Sequence, residues 1–166
     1  EGNSPHTITV RSALPALTAP TIFDGTTQPG YTDRPLVVVR GTGVSGDGLV
    51  LDQAESAVLG LAVGGFGGAG IRLTGAGGSR VEGSYVGVGA DGATALANGL
   101  GIVVDGSPNH TVGGDEAGQG NVIAGNAGLG IHVTGPADTG NVLAGHRIRM
   151  NAAGTAAVPN EAEGVR

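Results

Sequence analysis

Residues 101–106 read Gly-Ile-Val-Val-Asp-Gly, and close copies stand at 70–75 (Gly-Ile-Arg-Leu-Thr-Gly) and 130–135 (Gly-Ile-His-Val-Thr-Gly). A looser copy, Gly-Leu-Val-Leu-Asp-Gln, covers 48–53, and Gly164 begins another. In each copy the second and fourth residues are branched and apolar while the third and fifth vary, the period-2 pattern of a strand with one buried face. The first glycines of successive copies are 22, 31, 29 and 34 residues apart. A strand that returns at this interval predicts a solenoid, whose stacked repeats share one core.

Composition favours an all-β chain. The 166 residues suffice for one domain, and 35 of them are glycine. Each glycine costs a helix about 1 kcal/mol relative to alanine, so long helices are not expected. Parallel strands need crossovers, and without helices the other strands of each coil must supply them. The sequence therefore predicts a right-handed parallel β-helix, because parallel crossovers are almost always right-handed. The repeat length gives roughly five to six coils.

The predicted solenoid forms a single domain over residues 1–166. The repeat coils occupy 47–166, and residues 1–46, which lack the repeated phrase, are expected to form an irregular first coil that caps one end. The sequence begins with neither methionine nor a signal peptide. We therefore expect it to be a fragment of a longer chain.

A second phrase alternates with the first and centres on a glycine that follows an apolar residue by two positions. Its copies contain Val58, Val81, Ile123 and Leu143. Two copies run into similar loops, 83–98 and 145–160, which align at a constant offset of 62 residues and both end in asparagine. Each coil is thus predicted to carry a strand, a turn, a second strand and a loop before the first strand returns.

Several partners and cofactors are disfavoured. The net charge of −6 disfavours binding to nucleic acid. Membrane insertion is not expected, since no apolar run approaches the roughly 20 residues that span a bilayer. Cysteine is absent and the four histidines lack metal-ligand spacing. We expect no cofactor, although loop acids such as Asp91 or Asp115 leave weak Ca²⁺ binding open beside the simpler interpretation of solvated turns.

Three segments carry a family resemblance. They are Phe-Asp-Gly-Thr-Thr-Gln-Pro-Gly-Tyr at 23–31, Gly-Asn-Val-Ile-Ala-Gly-Asn at 120–126 and Asn-Ala-Ala-Gly-Thr-Ala-Ala-Val-Pro-Asn at 151–160. The chain resembles the bacterial right-handed parallel β-helix repeat proteins of the pectate-lyase-like superfamily. The resemblance implies the fold and a secreted or cell-surface location, and it departs from the usual pattern where His146 follows Gly145 in place of asparagine.

Polar residues at the outward positions of the repeated strand form the candidate site. Strands about 4.8 Å apart would align Arg72 with His132 in one outward column and Asp52 with Asp105 in another. The two aspartates would lie two coils, or about 9–10 Å, apart. An inverting glycosidase uses two carboxyl groups roughly 6.5–9.5 Å apart. Asp52, Asp105, Arg72 and His132 are therefore candidate catalytic residues, although an outward sheet face is expected to be polar without any catalysis.

We expect a non-catalytic extracellular or cell-surface module that acts as a rigid surface or adhesion scaffold. The alternative is a polysaccharide-active enzyme, a glycoside hydrolase or lyase, with its site on the outer wall of the main sheet. A polysaccharide or cell-surface glycan is the expected partner. The unpaired strand edge at the C-terminal end also predicts an end-to-end homodimer, with a closed two-fold arrangement expected.

Overall fold

Residues 4–166, which this computed structural model describes, form fifteen short strands in three parallel sheets and no helix. The six-stranded sheet contains β1 (His6–Val10), β3 (Val37–Gly41), β6 (Leu61–Gly64), β9 (Tyr85–Val86), β12 (Val122–Ile123) and β15 (Arg147–Ile148). The five-stranded sheet contains β2 (Ile22–Asp24), β5 (Ala57–Leu59), β8 (Arg80–Glu82), β11 (Thr111–Gly113) and β14 (Val142–Ala144). The four-stranded sheet contains β4 (Leu49–Leu51), β7 (Ala69–Leu73), β10 (Leu100–Asp105) and β13 (Ile131–Thr134).

From β4 onward the chain visits the four-, five- and six-stranded sheets in strict rotation. Each turn of the chain therefore adds one strand to every sheet, and every strand after β4 pairs in parallel with the strand one turn earlier. The predicted all-β class and the stacking of parallel strands are confirmed, and the arrangement fits a parallel β-solenoid. Within the same residues, no helix is long and apolar enough to cross a membrane.

The predicted register of the repeated strand is confirmed. Ile102 pairs with Ile71 on one side and with Ile131 on the other, and all three side chains are fully buried. Their neighbours at the fourth position of the phrase continue the same inner face. Valine and isoleucine suit this place because branched side chains pack well on a pleated surface.

The predicted second phrase merges two different strands. Ile123 pairs with Val86 in the six-stranded sheet, whereas the residue that pairs with Val81 in the five-stranded sheet is Val112. The phrase that Ile123 and Val81 share therefore marks strands of two different sheets. In both sheets the strand leads into a glycine with positive φ: 76° at Gly113, which ends β11, and 71° at Gly125, which follows β12. Because both corners require positive φ, the glycine does not show which corner it serves.

Buried side chains join successive coils at the corners. Asn98, Asn126 and Asn160 form an asparagine ladder: the backbone N–H of Asn126 donates to Oδ1 of Asn160 at 3.0 Å, and that of Asn98 donates to Oδ1 of Asn126 at 3.4 Å. Oδ1 of Asn98 accepts in turn from the N–H of Phe66. All three asparagines are only 1% exposed, so without these bonds the turn would bury unpaired polar groups.

Two further ladders stand at the other corners. In the second ladder the N–H of Ser84 donates to Oδ1 of Asn121 at 2.8 Å, and the N–H of Asn121 donates to Nδ1 of His146 at 3.4 Å. The third ladder is made in the same way by Ser79, His110 and Asn141. Every bond runs from a backbone N–H to the side chain one coil nearer the C-terminus. The three ladders therefore share one polarity along the stack.

The two aligned loops fold back over the outer face of the six-stranded sheet. Val88 pairs with Ala95 in the first loop, and Met150 pairs with Ala157 in the second, both in antiparallel bridges. Small apolar side chains beneath and within these flaps form a second hydrophobic cluster, separate from the central core. The two loops that align at an offset of 62 residues in the sequence therefore also fold in the same way.

Replacing Asn126 with alanine should lower the free energy of unfolding by about 3 kcal/mol, because it removes several buried hydrogen bonds at once. The backbone N–H of Asn98 loses its acceptor, and the carbonyl of Val86 loses one of its two donors. Urea denaturation measures the change. Asn151→Ala is the control, since Asn151 bonds to Thr155 in an exposed turn and its loss should cost under about 1 kcal/mol. Equal costs for the two variants would contradict a stabilising ladder.

Candidate functional site

The structure places the predicted site residues on the outer face of the four-stranded sheet. Arg72 pairs with Val50 and Val103, and Val103 pairs with His132, so these residues form the expected column. Asp105 pairs with Thr134 in the neighbouring column, and Thr74 lies beside Asp105 through a 3.2 Å bond from its hydroxyl to the Asp105 carbonyl.

Arg72 is held between two aspartates. Its Nε atom lies 2.6 Å from Oδ2 of Asp47, and one terminal nitrogen lies 2.9 Å from Oδ2 of Asp105. Asp47 also accepts the backbone N–H of Ala69 at 2.6 Å. Sequence reasoning missed Asp47, although it stands immediately before the looser copy of the phrase at Gly48.

The charges of this network stabilise one another. Burial disfavours the charged form of Asp47, but the hydrogen bonds from Arg72 and Ala69 outweigh it, so the pKa of Asp47 lies below its ordinary value. The hydrogen bond to Asp47 also raises the pKa of Arg72, with Asp105 contributing further. Arg72 therefore acts as a fixed positive charge that ties the segment before β4 to β7 and β10.

The two predicted acids lie in one outward column at the spacing expected from the sequence. Thr74 lies between Asp52 and Asp105 in the column, so two strand spacings, about 9–10 Å, separate the aspartates. Asp105 is bound to Arg72, while Asp52 receives only a 3.5 Å contact from the amide of Gln53. His132 is half-buried one strand beyond Val103. The four candidates therefore share a wall, but they do not converge on one point.

A more concave surface lies on the outer face of the six-stranded sheet. This outer groove has a volume of about 620 Å³. Tyr85, Val122 and Arg147 are consecutive members of one outward column in it. The remaining lining comes from Asp33, Gly83, 114–118, Gly120, Gly145 and Ala152. The groove therefore combines an aromatic ring, a guanidinium and three carboxylates.

Tyr85 is only 7% exposed, and the charges of two arginines act on its phenol. Burial raises the pKa of the Tyr85 phenol, and the nearby positive charges of Arg34 and Arg147 oppose the rise only in part. The phenol is therefore protonated at neutral pH. Sequence reasoning missed this groove because its lining comes from four different coils and includes a loop, 113–120, that has no counterpart in the repeat. The only signal was the turn-rich composition of that loop.

Ser107, His110 and Asp138 lie together but do not form a catalytic triad. Nε2 of His110 is 2.8 Å from the hydroxyl of Ser107, and Nδ1 accepts the N–H of Ser79 at 3.1 Å. The proton must then sit on Nε2 and be donated to Ser107, which is the reverse of what a general base requires. Ser107 and His110 are also fully buried. The cluster is part of the third ladder and serves the fold.

The loop acid Asp91 is satisfied within its own turn. Its carboxylate accepts the backbone N–H groups of Ala93 and Thr94 and the Thr94 hydroxyl. The hydrogen bond from Thr94 and those from the backbone hold the pKa of Asp91 below its ordinary value. Over residues 4–166 no group of three or more histidine or carboxylate side chains is arranged to hold a metal ion.

Compared with the known protein families, with curated proteins and with solved structures, the chain matches none of them.

Arg72→Ala should lower the free energy of unfolding by about 1–2 kcal/mol, because Asp47 then loses the partner that compensates its burial. Arg80→Ala is the matched control. Arg80 pairs with Glu82 at 3.2 Å, but its side chain is 49% exposed, against 25% for Arg72. An exposed pair contributes roughly 0–1 kcal/mol. Urea denaturation of both variants tests the difference, and a smaller loss for Arg72→Ala than for Arg80→Ala would contradict the network described here.

The ladder histidines predict a loss of stability in mild acid. Burial lowers the pKa of both His110 and His146 below the ordinary value of about 6.5. The unfolded chain then binds more protons than the folded chain below about pH 6.5, so the free energy of unfolding should fall as the pH drops from about 7.5 to about 5.5. Urea titrations at the two pH values measure it.

The control for this pH dependence is the double variant His110→Asn with His146→Asn. Asparagine supplies the same kind of acceptor at the equivalent positions Asn141 and Asn121. The variant should fold and lose most of the dependence between the two pH values. An undiminished dependence would mean that other groups cause it.

Proposed function

We propose that the chain is a right-handed parallel β-helix of five to six coils and that it serves as a non-catalytic extracellular scaffold, a rigid surface or adhesion module. The right hand follows from the preferred chirality of parallel crossovers. The six strands of the largest sheet support the proposed coil number. The resemblance to bacterial parallel β-helix repeat proteins supports both the fold type and a cell-surface location.

The observation that carries this proposal is the continuity of the interior. Inner side chains stack from strand to strand through every turn, and three ladders fix the corners between them. Successive coils are therefore joined by backbone bonds, side-chain bonds and apolar contact together. A stack joined in this way resists bending, which is what a stalk or display surface requires.

The geometry of the four-stranded sheet also favours a non-catalytic role for that wall. A general acid or base must reach the reacting group, and glycoside hydrolysis needs two such groups on opposite sides of one bond. Asp105 is instead bound to Arg72, and Asp52 stands on the same wall two strands away. Arg72 joins strands of successive coils, which is a structural task.

The outer groove supports the alternative, a protein that binds or cleaves a polysaccharide. Sugar-binding surfaces combine an aromatic ring with charged groups that bond hydroxyls or carboxylates. Arg147, Asp115 and Glu116 supply the charged groups within one concavity, and Tyr85, although only 7% exposed, contributes an aromatic ring to its lining. We therefore place the proposed glycan contact of the scaffold in this groove and not on the four-stranded wall.

The scaffold proposal predicts binding without turnover. The chain is incubated with a panel of acidic and neutral polysaccharides, and reducing ends and unsaturated products are measured. The expected result is no release, together with binding to at least one immobilised polysaccharide. Arg147→Ala should weaken that binding about tenfold, the loss expected for one charge-assisted hydrogen bond.

Arg80→Ala provides the control, since Arg80 is an exposed arginine on the five-stranded sheet, outside the groove. It should leave binding unchanged. Release of product that Asp105→Asn abolishes, with the melting temperature unchanged, would replace the scaffold proposal with an enzyme whose site is the four-stranded wall. Release that depends instead on Asp115 or Glu116 would place an enzyme in the outer groove.

A further inference from the structure

We propose that Asn98 is a site of self-modification: its side chain deamidates when its corner of the stack opens, and the modified corner does not close again. Of the eight asparagines in the chain, only Asn98 is followed by glycine. Glycine has no Cβ atom to crowd its own backbone nitrogen, so that nitrogen can reach the side chain of the preceding residue. The proposal concerns the asparagine ladder and does not depend on any ligand in the outer groove.

The reaction uses only the chain and water. The backbone nitrogen of Gly99 attacks Cγ of Asn98, so that a new N–C bond forms while the bond from Cγ to Nδ2 breaks. Ammonia leaves with the proton from the Gly99 nitrogen, and a five-membered succinimide ring remains. Water then opens the ring. Opening at the side-chain carbonyl gives aspartate, and opening at the main-chain carbonyl gives isoaspartate.

The folded ladder engages both reacting groups. The N–H of Gly99 donates to the carbonyl of Phe66 at 2.9 Å. Oδ1 of Asn98 accepts from the N–H of Phe66 at 3.2 Å. Nδ2 of the same side chain donates to the Val63 carbonyl at 3.2 Å and to Oδ1 of Asn126 at 3.1 Å. Deamidation requires these bonds to break, so its rate should follow the population of the open corner.

The fold requires both members of this reactive pair. Asparagine at position 98 supplies the acceptor for Phe66 and the donor for Asn126. A Cβ atom at Gly99 would collide with the carbonyl oxygen of Gly67, which belongs to the backbone and has no side-chain freedom to move aside. The reactive sequence is therefore a consequence of the geometry of this corner.

The two later members of the ladder provide an internal comparison. Asn126 is followed by Ala127, and Asn160 is followed by Glu161. In both cases the N–H of the following residue donates to the carbonyl of the ladder residue one coil earlier at 2.9 Å, the distance found for Gly99. These corners therefore share the backbone contact and differ in the Cβ atom that crowds the attacking nitrogen.

Either product would disrupt the corner. An aspartate carboxylate has no N–H to donate to Val63 or Asn126, and it would place a negative charge beside their two oxygens. Among residues 4–166, no charged residue lines the surface groove beside position 98, so the buried charge would lack a partner. Isoaspartate instead adds one carbon to the backbone just before β10 and disturbs its register with β7. A chain that is modified while open should therefore fail to refold.

Peptide mapping by mass spectrometry tests the modification. The chain is kept at neutral pH in native buffer and, separately, in concentrated urea, and the replacement of NH by O is measured at Asn98, Asn126 and Asn160. Asn98 should convert in urea at least about a hundredfold faster than in native buffer, since opening the corner breaks several hydrogen bonds. The other two asparagines should stay unmodified over the same period. Isomerisation at aspartate–glycine pairs leaves the mass unchanged and is not counted.

Two outcomes of this experiment would overturn the proposal. Conversion of Asn98 at the same rate in native buffer and in urea would show that the ladder does not protect it. Conversion of Asn126 in urea as fast as that of Asn98 would show that the following glycine is irrelevant. Gly99→Ala, measured in urea only because its Cβ atom collides in the folded chain, should slow the conversion of Asn98.

A refolding experiment tests the consequence of the modification. Urea is diluted at successive times, folded and unfolded chains are separated by size exclusion, and each fraction is mapped. The folded fraction should retain Asn98, and the unfolded fraction should carry aspartate or isoaspartate at that position. Equal proportions of modified chain in the two fractions would contradict the proposed block to refolding.

Asn98→Asp reproduces one of the two products directly. It should lower the melting temperature at neutral pH by about 10 °C or more, or prevent folding, because it buries a charge without a partner. Asn151→Asp is the matched control: Oδ1 of Asn151 accepts the N–H groups of Thr155 and Ala156 in an exposed turn, and a carboxylate accepts both equally well. The control should melt as the wild type does. An Asn98→Asp chain as stable as the control would overturn the proposal.

Discussion

The buried backbone N–H groups at the corners of the stack are the constraint on which the rest of this structure depends. Strands satisfy their own N–H groups through the sheets, but a corner residue points its N–H along the axis, where the next coil offers only another corner. The protein solves this with a short acceptor side chain at each place, as when Asn160 accepts from Asn126. Leaving such a group unpaired costs about 1–3 kcal/mol, and the cost recurs at each corner of each coil. Asparagine, serine and neutral histidine all fit this requirement, which explains the mixture of types in the ladders.

The prediction from sequence was most accurate where one rule acts alone. The alternation in residues 101–106 reflects only burial on one side of a strand, so the register of Ile102 with Ile71 and Ile131 followed directly from it. The same alternation placed Arg72 and Asp105 on the outer wall. The second phrase was less informative at Ile123, because its glycine indicates only that a corner requires positive φ. The glycine does not indicate which of the two sheets the preceding strand belongs to. The number of strands in each coil depends on that assignment.

The candidate site was predictable in position but not in contacts. Period-2 alternation identifies which side chains point outward from the sheet, but it does not show in which direction they extend along its surface. Arg72 reaches Asp47, which lies in a turn before β4 and outside every repeated phrase. The outer groove was harder to predict from the sequence. Tyr85 and Arg147 lie on either side of β12, and Asp33 is contributed by the first coils. Contacts of this kind depend on how loops of unequal length fold over a regular stack.

The regularity that makes the stack stable also limits what its walls can do. Outward side chains on a parallel sheet stand side by side at intervals of about 4.8 Å, so neighbouring charges meet and pair instead of converging on a third body. Arg72 and Asp105 show the outcome. In the outer groove, concavity arises where loop 113–120 departs from the repeat. In a protein built this way, the corners and columns determine stability, and the lengths of a few loops determine what the surface binds. Changing a loop such as 113–120 should therefore alter recognition with little effect on the core, because no core column passes through it.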